Sequence, residues 1–114
     1  VQRLTPSKRG QLIVGFARLD IRPRPKDTLQ AAERKAHIMA LYLGSEVLGK
    51  GVGRELVERM EDVVRDERID QITLESTISA HEFYKRMGFA DSGPMTTVEI
   101  NGERIRCFPM RKLL

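Results

Sequence analysis

Tryptophan is absent from these 114 residues, and Tyr42 and Tyr84 are the only tyrosines. An aromatic platform for stacking single-stranded bases is therefore poorly supplied. Cysteine occurs once, as Cys107, which excludes an internal disulfide and a cysteine-based metal centre. In its apolar stretch Cys107 reads as a packed thiol rather than a nucleophile. No apolar run approaches the length of a membrane span, and no signal-peptide pattern opens the chain. A reducing, cytoplasmic setting without a membrane partner is the expectation.

What is present is charge. A formal net charge of +4 and a pI near 9.6 admit a polyanionic ligand, either a phosphate-rich cofactor or nucleic acid. The same surplus serves solubility. Charge alone favours nucleic acid, so none is expected. A length of 114 residues suits one domain with one core.

Apolar patterning supplies the elements. Residues 11–21 form a strand candidate, with Gly15 marking a bulge or a close backbone neighbour, and Pro23 and Pro25 end it. Residues 23–33 read as a polar connection. The run 36–43 is almost continuously apolar, the pattern of a strand buried on both faces. Val52, Leu56, Val57, Met60, Val63 and Val64 then recur at helical spacing, opposite a polar face that includes Arg54, Glu58 and Glu61. A short strand is expected over 71–75. A helix over about 79–87, with Ser76 or Thr77 as cap, stops at Gly88. Strands 96–100 and 103–110 flank Asn101-Gly102, a hairpin signal, and residues 111–114 read as a tail. The order predicts an α/β (α+β) fold: a mixed β-sheet flanked by helices, with a C-terminal β-hairpin. The long, partly apolar hairpin allows an edge-strand homodimer.

The glycine-rich stretch from Leu48 to Arg54 lies between an apolar strand and the strongest helix. Glycine lets a backbone approach a ligand closely, and uncapped N–H groups at a helix start attract anions. Three phosphate motifs compete for it. A Walker A reading from Gly44 to Lys50 fails because Gly51 stands where the Mg²⁺-binding hydroxyl belongs. The dinucleotide fingerprint fails because Arg54 fills its third glycine place. A glycine-rich turn that binds nothing is the remaining alternative to a phosphate cradle.

The third motif is Leu48-Gly49-Lys50-Gly51-Val52-Gly53, followed later by Phe83-Tyr84-Lys85-Arg86-Met87-Gly88-Phe89. The pair, in this order with a strand between, resembles the GCN5-related N-acetyltransferase family. Its signatures are Q/R-x-x-G-x-G/A and a short helix closing in F-Y-x-x-x-G-F. Leu48 departs from the usual Gln or Arg, and Thr77 stands where many relatives have Asn. The resemblance covers roughly 11–114. The family's opening strand and two helices have no counterpart here, so one acetyltransferase-like domain over 1–114, truncated at its N-terminus or completed by a partner, is expected.

The resemblance implies an acyl-CoA N-acyltransferase-like fold with acetyl-CoA as cosubstrate and no metal. The pyrophosphate would rest on Gly49, Lys50, Gly51, Val52, Gly53 and Arg54. The pantetheine would lie between the strands at Leu41, Tyr42 and Leu43 and at 72–75, near Thr77. Tyr84 would be the acid that protonates the departing thiolate, and a backbone N–H near residues 41–43 would meet the oxyanion. Glu75, or by pKa His37 or His81, would take the amine proton. The histidines also have bland readings: His37 packing at its strand start, His81 on a solvated helix face. The implied acceptor is a small-molecule or peptide amine. A domain that holds acetyl-CoA for sensing or assembly without turnover is the alternative.

Overall fold

The computed structural model describes residues 15–22, 34–44 and 48–114. Its elements run β1 (Gly15–Arg22), β2 (Lys35–Leu43), α1 (Val52–Asp66), β3 (Gln71–Thr77), a 3₁₀ turn (Ile78–Ala80), α2 (His81–Arg86), β4 (Ala90–Asp91), β5 (Thr96–Ile100) and β6 (Glu103–Leu113). One mixed sheet is ordered β1-β2-β3-β6-β4, with β5 added on β6. Only β2 and β3 run parallel. Residues 111–114, expected as a tail, instead mostly extend β6: Arg111 to Leu113 pair with Thr73 to Gln71. The sequence-predicted connection at 23–33 and the start of the first strand lie outside the described residues.

Helical spacing on α1 places Leu56, Val57, Met60 and Val64 on one buried face. They pack with Leu19, Ile38, Ile72, Leu74 and Met110 from four strands. Each such side chain contributes about 1.5–3 kcal/mol by leaving water. Beneath them the strands alternate: on β3, Ile72, Leu74 and Ser76 are buried while Glu75 and Thr77 are exposed. Asn101 and Gly102 both take positive φ, 51° and 80°, the twist that a two-residue hairpin requires.

Strand β2 departs from its expectation of burial on both faces. Lys35, Met39 and Tyr42 are exposed, because among the described residues both helices pack on the other face. Its register on β1 also breaks. Arg18 pairs with Ala40 but Leu19 pairs with Ile38, which leaves Met39 as an extra residue. Such a bulge flips side-chain parity and bends the strand. Ala36 and Ile38 face the core before it, and Leu41 and Leu43 still pack on the core after it.

The parting of β2 and β3 follows directly. Their pairing covers only Ala36↔Ile72, His37↔Thr73 and Ile38↔Leu74. Beyond that, β2 stays with β1 up to Leu43 and β3 stays with β6 up to Thr77. The sheet is split from the bulge onward.

Candidate active site

The split opens a cavity of about 370 Å³. One wall is the β2 edge, His37 to Leu41; facing it are Glu75, Ser76 and Thr77 of β3. Tyr84 enters from α2, and Val98, Ile100 and Ile105 close one side from the hairpin. The gap therefore begins later than expected. Residues 72–74 still pair with β2, and the free edges are 39–43 and 75–77.

At the open end of β2 stands the glycine turn. Gly49 and Gly51 have φ of 78° and 79°, and Gly51 is the N-cap of α1 without any side-chain cap. A Cβ built on Gly49 or Gly51 meets no atom of the described residues within 4 Å, so the turn presents bare backbone on that side. Glu55 N–H bonds the Gly51 carbonyl at 3.1 Å, and the N–H groups before it are the ordinary orphans of a helix start. Lys50 and Arg54 stand exposed beside them; among the described residues Arg54 makes a loose 3.9 Å pair with exposed Glu58. Bare donors, a helix N-terminus and two cations fit an anionic group such as a pyrophosphate. Gly53 has a different task. A Cβ there would lie 3.0 Å from Leu43 Cδ1 and 3.1 Å from Phe83 Cζ. Its bareness lets α1, the end of β2 and α2 meet.

Tyr84 is only 7% exposed and sits edge-on to Phe83 and Phe89, at 5.1 and 5.7 Å between ring centres. Burial pushes its phenol up to about 12. The ordinary phenol pKa assumed from sequence is thus corrected upward: the group is a weaker acid, neutral throughout the working range. Cys107 lines the same cavity. Burial, then the Glu75 carboxylate, raises its pKa, so its thiol stays protonated and unreactive.

The three candidate bases separate. Glu75 is exposed on β3 and lines the cavity. His37 also lines it, but its Nδ1 is 2.7 Å from Thr73 Oγ1, whose hydroxyl donates to the Ala36 carbonyl. The His37–Thr73 hydrogen bond ties β2 to β3. His81 lies away from the cavity lining. It donates from Nε2 to Asp91 at 2.7 Å and stacks on Phe108 at 4.1 Å. With a side chain only 14% exposed, it is a packed latch between α2 and β4, not a solvated residue.

Of the other predicted site residues, Leu41 and Thr77 line the cavity, whereas Tyr42 and Leu43 do not. Tyr42 stacks on Phe16 at 5.5 Å on the open sheet face, and Leu43 turns to the core. Thr77 makes no side-chain cap and shares a 3.2 Å contact with Ser79 Oγ. Sequence reasoning missed Met39 and the hairpin residues Val98, Ile100 and Ile105. The hairpin alternation, apolar at 98, 100 and 105 and polar at 97, 99, 104 and 106, was the available signal. Among the described residues no group of three or more His, Cys, Asp or Glu could hold a metal ion, and no helix is long and apolar enough to cross a membrane.

A family model described as "Acetyltransferase (GNAT) family" matches residues 5–89. Among solved structures, a GCN5-related N-acetyltransferase from Rhodopseudomonas palustris is similar at 27% identity and a TM-score of 0.70, over 92% of this chain and 57% of that one. Arabidopsis thaliana Naa50, in complex with the bisubstrate analogue CoA-Ac-MVNAL, is similar at 22% identity and a TM-score of 0.68, over 90% of this chain and 66% of that one. The ribosomal-protein-S18-alanine N-acetyltransferase from Escherichia coli is similar at 17% identity and a TM-score of 0.66, over 94% and 64%. The last two bear on fold alone. This chain spans less than two thirds of the length of each.

Proposed function

The chain belongs to the GCN5-related N-acetyltransferase family, and on that premise we propose that it transfers the acetyl group of acetyl-CoA to a primary amine. The observation that carries this reading is the split between β2 and β3, with bare glycine backbone near its open end and a buried phenol inside.

The N–H groups from Gly49 to Arg54, with Lys50, hold the pyrophosphate, and the helix dipole adds attraction. Main-chain groups on the free edges of β2 and β3 pair with the amides of the pantetheine arm, as strands pair with an added strand. Met39 lies outside the β1–β2 ladder, so the backbone N–H groups around it, a little before the expected 41–43, are the donors that stabilise the oxyanion. Glu75 takes a proton from the acceptor's ammonium, directly or through water, and the neutral amine then attacks the thioester carbon. Tyr84 gives its proton to the departing CoA thiolate. Its raised pKa makes it a weaker donor, but the same dry surroundings raise the proton affinity of the thiolate.

Titration calorimetry with acetyl-CoA, and thiol release with a panel of amines, test the reading. Tyr84→Phe should lower kcat by about 100-fold or more with the acetyl-CoA Kd unchanged. Because the phenol stays protonated up to about pH 12, it should contribute no alkaline limb to the kcat profile below about pH 11. An unchanged kcat in Tyr84→Phe refutes the acid role, and no binding at millimolar acetyl-CoA refutes the whole reading.

A further inference from the structure

The walls of the cavity differ in chemistry from one end to the other. Val98 of β5 stands opposite Ile105 of β6, while Thr97 stands opposite Arg106 and Glu99 opposite Arg104. The hairpin is therefore amphipathic across its two faces, and its apolar face looks into the cavity. Ile100, at the rim, is 51% exposed. Met39, on the β2 side, is 52% exposed. Large apolar side chains left open at a cavity mouth mark a surface that binds.

The charge is equally one-sided. Among the described residues that line the cavity, Glu75 is the only Asp, Glu, Lys or Arg. The cleft that continues past Glu75 and Val98 adds Thr73, Ser92, Thr96 and Thr97, which are polar but uncharged. Arg104 and Arg106, on the other face of the hairpin, line an adjoining cleft with Ile78 and Ser79 that shares Thr77 and Ile105 with the cavity. A cationic amine is attracted to Glu75, whereas a carboxylate beside that amine is repelled by it.

Resting on the acetyl-transfer reading above, we infer that the acceptor is a primary amine joined to an apolar group and without a neighbouring carboxylate. Two sources share this chemistry: an arylalkyl or alkyl amine, and the first residue of a peptide with an apolar side chain. Glu75 holds the ammonium, and the wall of Met39, Val98, Ile100 and Ile105 holds the apolar arm.

The test compares phenylalaninamide, phenylalanine, glycinamide and lysinamide by thiol release from acetyl-CoA, and by calorimetric binding to the CoA-loaded protein. Phenylalaninamide should exceed each of the others at least tenfold in kcat/KM. Adding 2-phenylethylamine and a Phe-Gly-Gly peptide separates the two sources: equal values assign the small amine, and a large gain for the peptide assigns the peptide. Ile100→Asp, at a half-exposed position of the rim, should cut the advantage of phenylalaninamide over glycinamide at least fivefold with the acetyl-CoA Kd unchanged. If amines are acetylated but phenylalanine or glycinamide matches phenylalaninamide, the acceptor inference is overturned and acetyl transfer stands. If no amine is acetylated but phenylalaninamide binds at least tenfold tighter than the others, acetyl transfer is overturned, while the site's selection of an apolar amine as ligand stands. Neither turnover nor preferential binding overturns both.

Discussion

A methyl group separates the work of two glycines that share one turn. At Gly51 the backbone is left-handed, at φ 79°, and a Cβ would meet no atom of the described residues. Its substitution by Ala costs roughly 1–2 kcal/mol of backbone strain and nothing in packing. At Gly53 the added Cβ presses on Leu43 and on the Phe83 ring at 3.0 to 3.2 Å, an overpacking cost of about 1–3 kcal/mol. Similar losses then have different origins, which a double-mutant cycle in chemical denaturation distinguishes. Phe83→Leu should recover about 1 kcal/mol of the loss in Gly53→Ala and none of that in Gly51→Ala. Equal coupling for both would refute the packing role of Gly53. At this scale much was legible: glycines at 49, 51 and 53, and Tyr84 within its helix, stand where the motif placed them in the chain. The environment of a residue was not. That Tyr84 is buried enough to raise its phenol, and that His81 is clamped by Asp91 and Phe108, depends on elements the local sequence does not contain.

Element by element, α1 shows where periodicity stops informing. Its spacing put Glu61 on the polar face, yet Glu61 is 4% exposed. The reason lies 51 residues away, in the strand expected to end before it: Lys112 Nζ donates to Glu61 at 2.7 Å and to the Met87 carbonyl at 2.7 Å. One cation thereby joins α1, β6 and the end of α2. Lys112→Met leaves a buried carboxylate and a buried carbonyl without that partner, and should destabilise the fold by about 3 kcal/mol in urea unfolding. The double variant Glu61→Leu, Lys112→Met should regain most of that loss, because apolar pairs commonly replace buried ion pairs without penalty. If the single variant is as stable as the parent, the pair is not structural. The bulge at Met39 was equally hidden. A continuous apolar run carries no parity, so nothing in residues 36–43 says where the alternation shifts by one.

Across the molecule, the sheet is one body with a break between its two parallel strands. The order of the main elements, the hairpin and the mixed sheet were readable from apolar period and turn chemistry, whereas the two-residue β4 and the 3₁₀ turn before α2 were not. The point at which two parallel strands part was not, because each strand is satisfied by another neighbour: β2 by β1, and β3 by β6. Pairing ends after Ile38↔Leu74, so one edge of 39–43 and one edge of 75–77 face the cavity instead of a strand. Backbone groups on such edges are protected only by what fills the gap. Hydrogen exchange should therefore show gains in protection on adding acetyl-CoA, confined to amides of 39–43, 75–77 and the glycine turn. Amides of 36–38 and 72–74, already paired, should change little. Protection spread evenly over the sheet would mean general stabilisation by binding, and protection limited to the glycine turn would mean that the ligand never enters the split.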